Sequence, residues 1–266
     1  MLTVLSLEPV WRGLLILALG GLVFPVTGVY ILRMNLLPIR FMMMHSVMLG
    51  GALALATSCD SFLTVSLVNL VFVFLLIWSS RRSGIEIGRL SMFFMILAVA
   101  GAGILMYRFH IPAMDTMNIL WGSPFAAIWT DALVLTALGL VIVSYQLVFS
   151  AHITALFFDP DIAFTSGVSE KTHTYAIVFI AAVSVAAAIR LMGALLMDGL
   201  ILIPAILAAA RAKSIRGMFI RASAYGFMFS IAGSLASIAV DIPVSAGIAS
   251  LSALWFVAFI IVKGKK

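Results

Sequence analysis

Charged residues are scarce in this chain, and cysteine is nearly absent. Of 266 residues, 10% are charged and 64% hydrophobic, whereas soluble domains carry about a quarter charged residues. That scarcity excludes an ordinary soluble fold. The single cysteine, Cys59, excludes an intrachain disulfide and any CxxC motif. Alternating segments of about ten residues, the mark of a transmembrane β-barrel, are missing too. So are enzyme motifs: there is no HExxH pair and no serine-centred nucleophile elbow. GIEIGR at 84–89 lacks the Lys-Ser/Thr ending of a phosphate loop, so the chain binds no ATP by that route and does not read as an enzyme. No basic stretch or small-residue cleavage site precedes the first apolar run, so no cleaved signal peptide is expected.

What is present is hydrocarbon-compatible sequence. The mean hydropathy is +1.23, and apolar runs of about 18 residues or more recur throughout, which predicts an all-α polytopic membrane protein. Spans are expected near 11–32, 38–57, 61–80, 90–107, 125–149, 174–190, 193–210, 217–239 and 243–262, about nine (eight to nine) transmembrane helices in a single domain over 1–266. Pro38 suits a helix start, while Thr-Ser-Cys-Asp-Ser at 57–61 and Asp-Ile-Pro at 241–243 are turn chemistry. The net charge of +6 would suggest nucleic acid in a soluble protein, but here its placement matters more. Arg33, Arg40, Arg81, Arg82, Arg89, Lys171, Arg211, Lys213, Arg216, Arg221, Lys263, Lys265 and Lys266 all fall on one side of a nine-span topology. By the positive-inside rule that side is cytoplasmic, leaving the N-terminus outside and the C-terminus inside. Only Arg12 and Arg108 lie clearly in outer segments.

Glu8, Asp60, Asp115 and Asp241 fall on the outer face, where acids raise the local concentration of cations. Exclusion of bases from that face explains the same asymmetry, and Glu86, Asp159, Asp161 and Glu170 fall inside. Ionisable groups inside spans are functional candidates because hydrocarbon tolerates them only when they pair or face water. His45, Asp131, Arg190 and Asp198 qualify. His45 sits in RFMMMHSVMLGG at 40–51, where Met44 and Met48 could assist an imidazole in holding a metal. The opposing reading makes His45 a group satisfied by a neighbouring helix and the methionines core filler. Arg190 and Asp198 could form a structural ion pair across Gly193. Asp131, read as about two turns into its span, either meets an entering cation or makes a helix-end contact. His110, His152 and His173 read as solvated loop residues.

Three segments resemble the permease subunit of zinc/manganese/iron-type ABC uptake transporters. FFDPDIAFTSGVS at 157–169 is similar to the family's Phe-Asp-Pro cytoplasmic loop, GALLMDGLILIPAILAAARAKS at 193–214 to its Leu-x-x-Pro-Ala segment, and DIPVSAGIASLSALWF at 241–256 to its Asp-x-Pro turn and final span. LWGSPF at 120–125 is a weaker match. The resemblance implies a homodimeric permease of type II importer-like fold in the bacterial inner membrane. It implies a divalent metal as transported substrate rather than bound cofactor, a separate cytoplasmic ATPase and an extracytoplasmic metal-binding protein. It also implies that a short helix near 205–220 docks on the ATPase. The family commonly reads Asp-x-x-Ser-His-x-x-x-Pro-Gly in the opening stretch. Here Phe41, Met44 and Leu49 replace the Asp, Ser and Pro while His45 and Gly50 remain. His45 thus resembles a retained pathway histidine whose site has lost a hard oxygen ligand. The metal candidates are His45, Asp131, Asp198, Asp241, Met44 and Met48. Two alternatives are a permease for a metal chelate, such as a siderophore or cobalamin, and an ion-coupled carrier using Asp131 and Asp198. Small residues at Gly50, Gly51, Ala54, Ser230, Gly233 and Ser234 allow close helix approach.

Overall fold

The computed structural model describes residues 7–116 and 124–263, without the side chains of Pro160, Arg190, Ala194, Leu195, Asp198 and Lys263. The first four residues of LWGSPF, together with Lys265 and Lys266, lie outside the described residues. The helices are α1 (Glu8–Arg33), α2 (Leu37–Thr57), α3 (Ser61–Ser83), α4 (Ile87–Arg108), α5 (Trp129–Val148), α6 (Ser150–Phe158), α7 (Pro160–Thr165), α8 (Glu170–Met192), α9 (Ala194–Arg211), α10 (Ile215–Val240) and α11 (Val244–Lys263). Among the described residues there is no strand, and eight helices are long and apolar enough to cross a membrane: α1 to α5, α8, α10 and α11. The ninth expected crossing falls on α9, whose 18 residues span about 27 Å at 1.5 Å per residue, close to the hydrocarbon thickness.

Local chemistry sets the boundaries. Pro38 opens α2, and Ser58 ends it in the left-handed region with its N–H on Ala54 O. Asp60 caps α3 by accepting from Leu63 N at 2.8 Å, and Gly84 stops that helix at φ +69°. Ser214 caps α10 through Gly217 N at 3.1 Å. Only Gly193 separates α8 from α9, with φ +87°, a conformation that glycine adopts without Cβ strain.

The segment 157–169, expected as a loop, is instead built into short helices. Asp159 accepts from Asp161 N (2.8 Å) and Ile162 N (3.4 Å), Pro160 occupies the first turn, and Gly167 at φ +77° ends α7. Leu156, Ala163 and Val168 form a small apolar cluster beneath the turn.

The chain forms two compact units. One contains α1, α5 and α9 to α11; the other contains α2 to α4 and α6 to α8. In the first, α9, α10 and α11 pack mutually. A Cβ on Gly28 of α1 would run into the carbonyl of Ile201 in α9, and one on Gly226 of α10 would run into that of Gly21 in α1. In the second, α2 packs on α3 and α4, and a Cβ on Gly50 would lie 2.7 Å from Val65 Cα. The small residues at Gly50 and Gly233 therefore serve contacts inside the chain, Gly233 against Ile248.

These contacts predict opposite outcomes for two alanine substitutions. Gly28→Ala forces α1 off α9 and should destabilise the protein by about 1–3 kcal/mol, as overpacking does. Gly103→Ala meets nothing within 4 Å and should leave stability unchanged or raise it by up to about 1 kcal/mol through helix propensity. Thermal unfolding in detergent compares the two; equal midpoints would deny the close approach at Gly28.

Candidate metal path

The accessible face of α2 carries the first candidate set. Phe41 is exposed and Met44, His45, Met48 and Leu49 are half-buried, whereas Met42, Met43, Ser46, Val47 and Gly50 are buried. The helical period thus sorts the methionines: Met42 and Met43 pack, while Met44 and Met48 share the histidine's side. His45 Nδ1 lies 2.7 Å from Phe41 O. A carbonyl can only accept, so Nδ1 carries a proton, and in the neutral ring the lone pair is on Nε2. This is the tautomer in which a neutral imidazole binds metal, with its second nitrogen fixed by a backbone carbonyl.

Asp131 sits shallower than its sequence position suggested, in the first turn of α5. It is buried, and its Oδ2 accepts from Ile128 N at 2.9 Å. Its own N–H donates to Ile128 O at 3.0 Å. This reciprocal closure is the helix-end contact expected as one of its two readings. Asp241 is exposed in the left-handed region (φ +58°) at the end of α10, its N–H on Ser237 O. Aspartate tolerates that conformation better than most residues. The side chains of Asp198 and Arg190 lie outside the described residues. Among the described residues, no three His, Cys, Asp or Glu side chains converge as a metal site.

One polar group escaped the sequence reading. Asn69, in the middle of α3, is 1% exposed, and neither side-chain amide atom has a hydrogen-bond partner among the described residues. The antiparallel contact of Gly50 with Val65 places Asn69, one turn further along α3, level with Ser46, one turn back along α2. The signal in the sequence is a lone amide within a 23-residue apolar helix, a group without charge. Buried amides without partners need an explanation, and a carbonyl oxygen is a cation ligand.

The basic helix ends gather at one end of the second unit. A cavity of about 700 Å³ there is lined by Arg33, Arg81, Glu86, Glu170, Lys171 and Tyr175, among others. Arg33 donates to Phe157 O at 3.0 Å, tying α6 to this end. In the first unit, Arg211 donates to Tyr225 Oη (3.2 Å) and lies over Phe259, while Arg221 donates to Arg211 O. The cluster at 211–221 therefore laces α9, α10 and α11 together. Ala205, Leu207 and Ala208 are buried within unbroken α9, so no separate short helix exists at 205–211. Phe158 (79% exposed) and Phe164 (77% exposed) are instead displayed by α6 and α7.

Comparison with known proteins bears on these features together. Residues 6–263 match the family described as the ABC 3 transport family. The chain is 24% identical over 218 residues to the high-affinity zinc uptake system membrane protein ZnuB of Haemophilus influenzae, covering 80% of this chain and 82% of that protein. It is 21% identical over 252 residues to the manganese transport system membrane protein MntC of Halalkalibacterium halodurans, covering 95% and 86% respectively. The fold is similar to PsaBC from Streptococcus pneumoniae in complex with a Fab, with TM-score 0.79 and 19% identity over 96% of this chain and 92% of that one. It is also similar to an inward-facing metal-chelate type ABC transporter, with TM-score 0.76 and 19% identity over 96% and 86%.

The reciprocal contact of Asp131 makes a measurable prediction. Asp131→Ala leaves the Ile128 amide without its acceptor and should cost about 1 kcal/mol, the usual value of a lost cap. Asp131→Asn, which keeps an acceptor oxygen, should recover most of that loss in the same unfolding assay. Equal destabilisation by both substitutions would remove the capping role.

Proposed function

Because this chain belongs to the ABC 3 transport family, we propose that it is the permease of an importer carrying a divalent cation of the zinc or manganese class across the bacterial inner membrane. The single observation that supports this cargo most directly is His45, held on the accessible face of α2 with Nδ1 on the Phe41 carbonyl, which leaves Nε2 of the neutral ring to bind a cation. One imidazole nitrogen binds a borderline cation without enclosing it. Met44 and Met48 add soft contacts that favour zinc over manganese, and Asn69 adds an amide oxygen at a nearby level. Few ligands at once suits conduction, in which a site must bind enough to admit an ion and weakly enough to release it.

The energy would come from a separate ATPase, as membership of an ABC transport family implies. The positive-inside rule places the end carrying Arg33, Arg81 and Lys171 in the cytoplasm, the N-terminus outside and the C-terminus inside. On that orientation α6 and α7, rather than 205–220, offer the ATPase contact. Their exposed Phe158, Ile162 and Phe164 stand beside the basic cavity, at an end where lipid does not cover them. A second copy of the permease and an extracytoplasmic metal-binding protein complete the assembly. Uptake of bare radiolabelled zinc or manganese into vesicles containing the complex separates this reading from chelate transport, which would leave the bare ion outside.

His45→Ala should abolish metal uptake while leaving assembly with the ATPase intact; normal uptake by His45→Leu, at normal expression, would sink the pathway role. Met44→Leu and Met48→Leu keep volume and remove sulfur. If the thioethers contact the cargo, zinc uptake should fall more than manganese uptake.

For the contact surface, cysteine at Phe164 should crosslink to the ATPase in the assembled complex. A crosslink from Ser214→Cys with none from Phe164→Cys would return the contact to the earlier segment. Labelling of Ser214→Cys only from outside would overturn the orientation.

A further inference from the structure

His152 and His173, 21 residues apart and given no role by the sequence, meet in the structure. We propose that they form a second divalent transition-metal site, chemically separate from the transport path, joining α6 to the start of α8. His152 Nδ1 and His173 Nε2 face each other at 3.2 Å. Their ring centres are 5.2 Å apart with planes 75° from parallel. A tetrahedral zinc with bonds of about 2.05 Å, to nitrogens about 1.15 Å from their ring centres, would set the nitrogens about 3.3 Å and the ring centres about 5.2 Å apart. An in-line N–H···N bond of the observed length would place the ring centres about 5.5 Å apart. The observed ring-centre separation matches that of two imidazoles sharing one tetrahedral ion and is shorter than that of an in-line bond.

The surroundings fit an exchangeable site. Phe149 packs against both rings, with centroid distances of 5.8 Å to His152 and 5.2 Å to His173. His173 is buried and His152 is exposed, so one ligand is fixed and the other opens to solvent. Without metal, one facing nitrogen carries the proton shared by the pair. When metal enters, that ring moves its proton to its other nitrogen through water, both rings stay neutral, and no proton is released overall. Two imidazoles supply half of a tetrahedral shell and water the rest, which makes the site labile rather than structural. An ion there would clamp α6 to α8, and α6 leads directly into α7. The ligand geometry stands independently of the proposed transport direction; only the cytoplasmic location of the site rests on it.

The test uses the full chain purified in detergent, with zinc alone as ligand for equilibrium dialysis and cobalt(II) alone as optical probe. Wild type and His45→Ala alike should hold a zinc ion that both His152→Gln and His173→Gln lose, whatever further zinc the transport path takes up in wild type. The cobalt-dependent visible absorption of a nitrogen-liganded centre should vanish with either substitution. His152→Gln changes an exposed side chain, so its loss of binding does not depend on refolding the core. Zinc and cobalt binding equal to wild type in His152→Gln would overturn the proposal, as would a wild type with no cobalt spectrum. A chain that imports no metal yet shows this binding refutes the transport reading and leaves the site standing. Import with no binding at the pair does the reverse.

Discussion

Helix backbones meet at glycine in this protein, and the arrangement of the first unit depends on that contact. Inside a bilayer, apolar side chains gain nothing by leaving lipid for one another, so helices associate through close packing and a few polar contacts. Around α1 this packing reaches backbone distance: Gly28 lies against the Ile201 carbonyl, and Gly21 and Gly226 lie against each other. Any side chain at these positions would separate the helices and forfeit the dispersion contacts on both flanks. Of the eight candidate spans, α1 is also the most buried among the described residues. Tyr30, fully buried on the same helix, donates to Gln146 of α5 at 2.5 Å and lies 5.2 Å from the ring of Phe219 on α10. Ser223 of α10 donates to the Leu22 carbonyl at 2.8 Å, so steric fit and hydrogen bonds together fix α1 against three helices.

Much of this fold was legible because the membrane makes hydropathy and length informative. The spans at 11–32, 38–57 and 217–239 fall inside observed helices Glu8–Arg33, Leu37–Thr57 and Ile215–Val240. Errors came where a short-range signal competed with a longer one. The segment 157–169 reads as a loop, yet Asp159, Pro160 and Gly167 hold the start and stop positions of a helix of six residues. Such a helix is too short to show a hydrophobic period, so only its caps announce it. The resemblance implies a docking helix near 205–220, whereas α9, which covers the span expected over 193–210, runs through Pro204 to Arg211. Membrane helices tolerate proline because neighbours and local adjustment satisfy the freed carbonyl.

The candidate site was less legible, for a reason of geometry. A sequence gives the face that a residue occupies on its own helix, and this sufficed to group Met44, His45 and Met48. It does not give what stands opposite. Asn69 became a candidate only when the Gly50–Val65 contact fixed the register of α3 against α2. Asp131 looked like a mid-span acid until the start of α5 at Trp129 placed it in the first turn, closing on Ile128. His152 and His173 are separated by a whole short-helix motif, which the chain must fold back before the two rings meet.

The histidine environments differ in a way that bears on their tasks. His45 binds its Nδ1–H to a carbonyl one turn back on its own helix, so its ring orientation belongs to α2 and moves with it. A cation on Nε2, as proposed, would be coupled to one helix, and movement of that helix would change its surroundings without breaking the histidine's own support. His152 and His173 stand on two helices, so anything held between them opposes separation of those helices. A ligand fixed to one element suits a step on a path, because its ion can be handed onward. A ligand pair shared by two elements suits a clasp, because release requires the elements to part. On the proposed readings, the same imidazole chemistry would serve passage at His45 and restraint at the His152–His173 pair, according to how many helices carry it.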